Sequence, residues 1–170
     1  MRVLTAASAA ALATTAMLAS LAIPAGASTG DSDVSVRAGD ERTSGNVRLD
    51  GRQEVPGPGD PDGHGRFVYK IDHDTLCYKL SVRDIRRPTA AHIHIAPRGE
   101  AGPIAVTLKT PPKNGIVSDC IRAQRDQNPK NAATVLTAWE LDGIKRDAFF
   151  FYVNVHNEEF PAGAIRGQLA

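Results

Sequence analysis

The chain has 170 residues, with 20 Lys and Arg against 19 Asp and Glu, which gives a formal net charge of +1 at pH 7. That length is typical of one domain with a hydrophobic core of its own. The near balance of charge argues against a nucleic-acid binder, because such a protein needs a basic surplus to neutralise phosphates.

The N-terminus has the pattern of a secretory signal peptide. Arg2 is the only charge in the first thirty residues, and residues 3–23 are mostly Ala, Leu and other apolar residues. Residues 25–27, Ala-Gly-Ala, are the small residues that a signal peptidase reads. We therefore predict a signal peptide over residues 1–27 and a secreted protein. Removal of Arg2 with the signal peptide would leave equal numbers of acidic and basic residues.

Residues 28–44 are predicted to form a flexible leader. They are Ser, Thr, Gly and charged residues with isolated valines, so there is too little apolar surface to offset the cost of ordering them. Asp31 and Asp33 in this segment disfavour a membrane anchor, which a basic cluster would follow. No later stretch is apolar enough to span a bilayer, so we expect no stable membrane insertion after signal removal. The folded domain is predicted to cover residues 45–170.

Alternating apolar residues predict β-strands through most of this domain. Residues 66–71 and 76–82 alternate on either side of a polar turn, which predicts an antiparallel hairpin. Further strands are predicted at residues 47–49, 91–95, 104–108, 149–156 and 164–169. Short strands separated by Gly and Pro turns are typical of an all-β antiparallel sandwich or barrel.

One segment has helical spacing instead. Val135, Leu136 and Trp139 fall on one helical face within residues 131–141, so we predict one short helix there. Trp139 is expected to be part of the core.

Cys77 and Cys120 are the only cysteines. In an exported chain a single pair predicts a disulfide, which would stabilise the fold by roughly 4 kcal/mol in the chain-entropy model. Two free thiols or soft metal ligands are the alternatives, although no CxxC spacing is present.

Strand parity predicts a polar cluster opposite the core. His92 and His94 share one strand face, because Ile93 and Ile95 occupy the inward one. The same rule turns further polar side chains outward on the last two predicted strands. If these strands are neighbours, the cluster comprises His92, His94, Asn154, His156, Arg166 and Gln168.

Two interpretations of this cluster stay open. His92, His94 and His156 are candidate metal ligands, because imidazole nitrogens suit copper and zinc. The other interpretation is a hydrogen-bond network without an ion, since neutral histidine carries one donor and one acceptor. In the Gly-rich loop after residue 53, Glu54, Asp60 and Asp62 are weaker candidates for a calcium site, because the EF-hand order is absent.

Three segments resemble the CHRD domain, named for chordin. They are "LDGRQEVPGPGDPDGHGRFVYKID", "AHIHIAPRGEAGPIAVTL" and "FYVNVHNEEFPAGAIRGQL", which occur in the family's order between about Val47 and Leu169. The family's AHIH motif falls on residues 91–94, its NVH motif on 154–156 and its RGQ motif on 166–168. The resemblance implies a secreted, all-β, immunoglobulin-like β-sandwich with no established enzymatic activity. Growth-factor antagonism does not carry over, because the cysteine-rich modules of chordin are missing.

The sequence leads to three candidate functions. The first is a non-catalytic extracellular module without a cofactor, which binds an unknown protein, glycan or cell-wall partner. The second is a copper- or zinc-binding protein that uses the three histidines. The third is a dismutase-like oxidoreductase, suggested by the H-x-H and V-x-V-H patterns. This third function is the least favoured, because His64 and His73 do not have the spacing of a second metal site. No catalytic residue is predicted.

Overall fold

The computed structural model describes residues 43–169. The predicted signal peptide and nearly all of the predicted leader lie outside these residues. The strands are β1 (Ser44–Asp50), β2 (His64–Asp72), β3 (Thr75–Arg83), β4 (Pro88–Ile95), β5 (Ile104–Thr107), β6 (Ile116–Arg122), β7 (Phe151–Asn157) and β8 (Ile165–Gln168). The α-helix is α1 (Ala138–Asp147), and two short 3-10 turns span Gly51–Gln53 and Ala148–Phe150.

All eight strands belong to one antiparallel sheet, in the order β5-β4-β7-β8-β1-β2-β3-β6. For the described residues, the all-β class, the antiparallel pairing and the single short helix are thus confirmed. The immunoglobulin-like sandwich is not confirmed, because β1 pairs with both β2 and β8 and so joins the two halves into one sheet. The β1–β8 contact is narrow, with Asp50 opposite Arg166 as its one aligned pair.

The sheet curls so that its two edges approach each other. Lys109 follows edge strand β5, and its backbone N–H donates to the Tyr78 hydroxyl of β3 at 2.8 Å. The Lys109 ammonium also lies 2.9 Å from a carboxylate oxygen of Asp119 on edge strand β6. The curl therefore encloses the apolar face of the sheet as a core.

The predicted hairpin of β2 and β3 supplies much of that core. Phe67, Tyr69 and Ile71 on β2 are buried, and so are the alternate β3 residues from Leu76 to Val82. Their intervening residues are more exposed. Period-two alternation thus identified the inward face of this hairpin correctly.

The helix begins later than its apolar spacing predicts. Thr137 caps α1 through a capping box with Glu140, which satisfies free backbone N–H groups at the start of the helix. Val135 and Leu136 are buried, but they precede the helix. The expectation that Trp139 belongs to the core is wrong: the side chain is 70% exposed, because Glu140, Leu141 and Ile144 form the buried face.

Cys77 and Cys120 form the predicted disulfide. They are directly opposite each other on β3 and β6, with an S–S distance of 2.08 Å. The bond ties edge strand β6 to the sheet, and the interpretation as free thiols or metal ligands is wrong. In the described part of the chain, no helix has the length and apolar character needed to cross a membrane.

Candidate metal centre

Three adjacent strands bring the predicted polar cluster together. In the register of β4, β7 and β8, His92 lies opposite Asn154, and Asn154 lies opposite Arg166. Ile93, Val153 and Ile165 on the same strands are fully buried in the core. The cluster therefore occupies the other face of this part of the sheet, as strand parity predicts.

The three histidines converge on one point. His92, His94 and His156 each offer a ring nitrogen, and these three atoms lie within 4.8 Å of one another. Nδ1 of His92 lies 3.0 Å from Nε2 of His156. His94 is buried, whereas the other two are half-buried, so the cluster lies just below the surface.

Backbone carbonyls fix the tautomers of two of the rings. Nδ1 of His94 lies 2.9 Å from the carbonyl oxygen of Gly102, and Nδ1 of His156 lies 3.0 Å from that of Pro161. A carbonyl only accepts, so each Nδ1 carries a proton and donates it. In the neutral rings the lone pairs of His94 and His156 are then on Nε2. This is the arrangement by which proteins orient metal-binding histidines.

Burial keeps the three imidazoles neutral. It lowers the pKa of His92 from 6.5 to about 4, helped by the neighbouring charges of His156 and His94 when these are protonated. Burial also lowers the pKa of His94 and of His156, although the hydrogen bonds to Gly102 and Pro161 oppose that effect. A neutral imidazole has the free lone pair that a metal ion requires.

The side-chain amide of Asn154 contacts two of the three histidine rings. Its Oδ1 lies 3.1 Å from Nε2 of His94 and 3.1 Å from Nε2 of His156. Those two nitrogens are lone-pair atoms in the tautomers just described, so three acceptors face one another. Such an arrangement is satisfied either by rotation of the amide, which would present its NH₂ group, or by a cation between the acceptors.

An aromatic and cationic stack supports His94. The ring of Tyr152 lies parallel to that of His94 at a centroid distance of 4.7 Å, and the Arg166 guanidinium lies 3.4 Å from the Tyr152 centroid. Arg166, which is 1% exposed, donates to the carbonyls of Pro97 and Glu100. Arg166 thereby anchors the loop after β4, which carries the Gly102 carbonyl that orients His94.

Gln168 anchors the start of the same loop. Its side-chain NH₂ group donates to the carbonyls of Ala96 and Phe149, at 2.8 and 2.7 Å, and its Oε1 accepts from Arg166. Both residues are buried, so the polar face of β7 and β8 is covered by loops rather than open to solvent. The sequence predicted which residues form this cluster, but not the loops that cover it.

Glu54 is hydrogen-bonded to the Asn154 side chain and was not predicted to belong to the cluster. The residue is only 6% exposed, and its Oε1 has no hydrogen-bond partner among the residues that the structure describes. Burial raises the pKa of Glu54 to about 7, against the opposing effects of Arg166, the Val55 backbone and a hydrogen bond with the Asn154 side chain. Gly163 is required beside it, since a Cβ there would lie 2.3 Å from the carboxyl.

The remaining candidates from the sequence are not part of the cluster. His64 and His73 are exposed, and His73 lies 2.9 Å from its neighbour Asp72. Asp60 accepts from the backbone N–H of Asp62 within its own loop. The role of His92, His94 and His156 as metal ligands stays a prediction.

The fold and the cluster together define an all-β domain with a histidine site on the face of the sheet opposite the core. A family model, the CHRD domain, matches residues 46–169. The chain therefore belongs to the CHRD family, as its motifs predicted. No curated protein and no solved structure matches the chain.

Proposed function

We propose that this CHRD domain is a non-catalytic metal-binding module in which His92, His94 and His156 hold one copper or zinc ion. The observation that carries the proposal is the convergence of three ring nitrogens within 4.8 Å, two of them on rings whose other nitrogen donates to a backbone carbonyl. Histidines that only form hydrogen bonds do not require three ring nitrogens to converge, whereas metal-binding histidines commonly converge and donate their other ring proton in this way.

The distances suit a small first-row ion. Ligand atoms about 2.0–2.1 Å from a tetrahedral ion are separated from one another by roughly 3.3–3.4 Å. Nδ1 of His92 and Nε2 of His156 are 3.0 Å apart, close to that separation. Small side-chain rotations would bring the third nitrogen into range, with the backbone of β4 and β7 unchanged.

The module is proposed to act outside the cell, in keeping with its family, its disulfide and the predicted signal peptide. A protein, glycan or cell-wall partner stays a prediction, and the bound ion would be carried or presented rather than used for catalysis. A dismutase-like activity is less favoured, because His64 and His73 lie apart from the cluster and from each other, at opposite ends of β2.

Elemental analysis of the untagged, oxidised protein tests this proposal. After incubation with Zn²⁺ or Cu²⁺ and desalting, the protein should retain close to one ion per chain. The double variant His92→Ala/His94→Ala should retain none, and the matched variant His64→Ala/His73→Ala should behave like the wild type. Equal metal retention by both double variants, or none by the wild type, would refute a histidine metal site.

A further inference from the structure

The position of Asn154 raises the question of a fourth ligand to the same ion. Its Oδ1 lies 3.1 Å from Nε2 of both His94 and His156, which is close to the roughly 3.3 Å expected between neighbouring ligands of one tetrahedral ion. Asn154 is only 2% exposed. Its amide oxygen therefore faces the cluster and is shielded from solvent.

The acceptor count distinguishes two orientations of this amide. The Gly102 and Pro161 carbonyls take the Nδ1 protons of His94 and His156, so neither Nε2 has a proton to donate to Oδ1. Without an ion the favourable orientation presents the NH₂ group to both nitrogens. With Oδ1 in place, as the structure has it, a cation removes the repulsion among the three lone-pair atoms.

Glu54 is the group that favours the second orientation. Its carboxyl is hydrogen-bonded to the Asn154 side chain, and because a carboxylate only accepts, the amide NH₂ group is the donor. Holding a buried carboxyl there is costly, since its Oε1 has no hydrogen-bond partner within residues 43–169 and Gly163 must leave room for it. A buried, incompletely bonded acid next to a ligating group is typical of a site selected for binding rather than for stability.

We propose that Asn154 Oδ1 is the fourth donor to the metal ion, and that Glu54 is the positioning residue that turns this oxygen toward it. The inference rests on the proposed function and makes it more specific. Three imidazole nitrogens and one amide oxygen form a donor set without sulfur, which suits a divalent ion such as Zn²⁺ or Cu²⁺ rather than Cu⁺.

The test uses Zn²⁺ affinity by chelator competition and the visible spectrum of the Co²⁺-loaded protein. Asn154→Ala should weaken Zn²⁺ binding about 10- to 100-fold and change the Co²⁺ spectrum, because water replaces the amide oxygen. Glu54→Leu should weaken binding in the same range, and Glu54→Gln should restore most of it, since glutamine keeps an acceptor oxygen. The double variant Asn154→Ala/Glu54→Leu should lose no more than Asn154→Ala alone.

Glu140→Leu is the matched control for removal of a buried glutamate. Glu140 is 4% exposed and caps α1, so this variant should lose stability and keep wild-type Zn²⁺ affinity. Wild-type affinity and an unchanged Co²⁺ spectrum in Asn154→Ala would overturn the fourth donor. Additive losses in the double variant would overturn the role of Glu54. In both cases metal binding by the wild type and its loss in His92→Ala/His94→Ala would leave the proposed function standing.

Discussion

Nδ1 of His92 lies 3.0 Å from Nε2 of His156, across the pairing of β4 with β7 and 64 residues away in the chain. Because Pro161 takes the other ring proton of His156, this Nε2 accepts a hydrogen bond from His92 in the metal-free protein. On binding an ion, the His92 ring would carry its proton on Nε2 instead of Nδ1, and two coordinate bonds would replace that hydrogen bond. The same contact thus serves as a structural link without metal and as part of the site with it.

Removal of His92 should change how acid affects the metal-free protein. The pKa of His92 is about 4 in the folded state and 6.5 when unfolded, so between these values the unfolded chain binds a proton that the folded protein does not. The wild type should therefore lose stability from this group as the pH falls from 6.5 to about 4, by an amount that solvent around the half-buried ring reduces. Above pH 6.5 this loss is absent.

Urea unfolding of wild type and His92→Asn in the presence of a chelator measures this effect. The stability of the wild type relative to His92→Asn should be greatest above pH 6.5 and should decline through the window. A difference that does not vary with pH would contradict the assigned pKa shift. His73→Asn is the control, because that ring is exposed and lies outside the cluster.

Glu54→Gln should stabilise the metal-free protein at neutral and higher pH. The pKa of Glu54 is 4.5 when unfolded and about 7 when folded, so rising pH removes a proton from the unfolded chain first. The wild type is therefore most stable, as far as this group is concerned, below pH 4.5, and loses stability up to about pH 7. The gain of the variant should grow across this window to about 3 kcal/mol. Thermal unfolding at pH 4 and pH 8 checks it, and an equal effect at both would refute the raised pKa.

Arg166→Lys should loosen the loop that orients His94. Lysine cannot form the forked contacts to the Pro97 and Glu100 carbonyls or lie flat on Tyr152. We expect a loss of about 2–3 kcal/mol in the free energy of unfolding and several-fold weaker Zn²⁺ binding. Arg48→Lys, on an exposed position of β1, should leave both quantities unchanged. Wild-type Zn²⁺ affinity in Arg166→Lys would show that the loop anchor does not matter to the site.

Loss of the disulfide should act on stability alone. Cys77→Ser/Cys120→Ser opens a link between residues 43 apart, and the chain-entropy model gives a loss of roughly 4 kcal/mol. The bond lies between β3 and β6, whereas the histidines lie on β4 and β7. Where the variant is still folded at 10 °C, its Zn²⁺ affinity should equal that of the wild type, and a large loss of affinity would indicate long-range coupling.

The sequence was sufficient to predict the histidine cluster because strand parity is a local property. Alternation assigned His92 and Asn154 to the face opposite Ile93 and Val153, and the structure places β4, β7 and β8 side by side as that prediction required. The hairpin of β2 and β3 was predictable for the same reason. The disulfide followed from there being only two cysteines.

The features that the sequence did not reveal depend on long-range contacts. Glu54 belongs to a loop before β2, and its partner Asn154 lies on β7, far away in the chain. The β1–β8 contact is likewise long-range and is one aligned pair wide. That same contact merges the strands into one sheet where a sandwich was expected. The carbonyls of Gly102 and Pro161 carry no side-chain signal. The start of α1 can be predicted from the Thr137-Ala138-Trp139-Glu140 capping pattern. The apolar spacing places it too early.

The most direct test of the metal site is the ¹⁵N spectrum of the imidazoles during titration of metal-free protein with Zn²⁺. His94 and His156 are expected to begin as the tautomer with the proton on Nδ1. Up to one equivalent of Zn²⁺, their Nε2 signals and the Nδ1 signal of His92 should move, while those of His64 and His73 stay in place. No change in the three clustered rings, or a parallel drift of all five, would contradict a metal site in this domain.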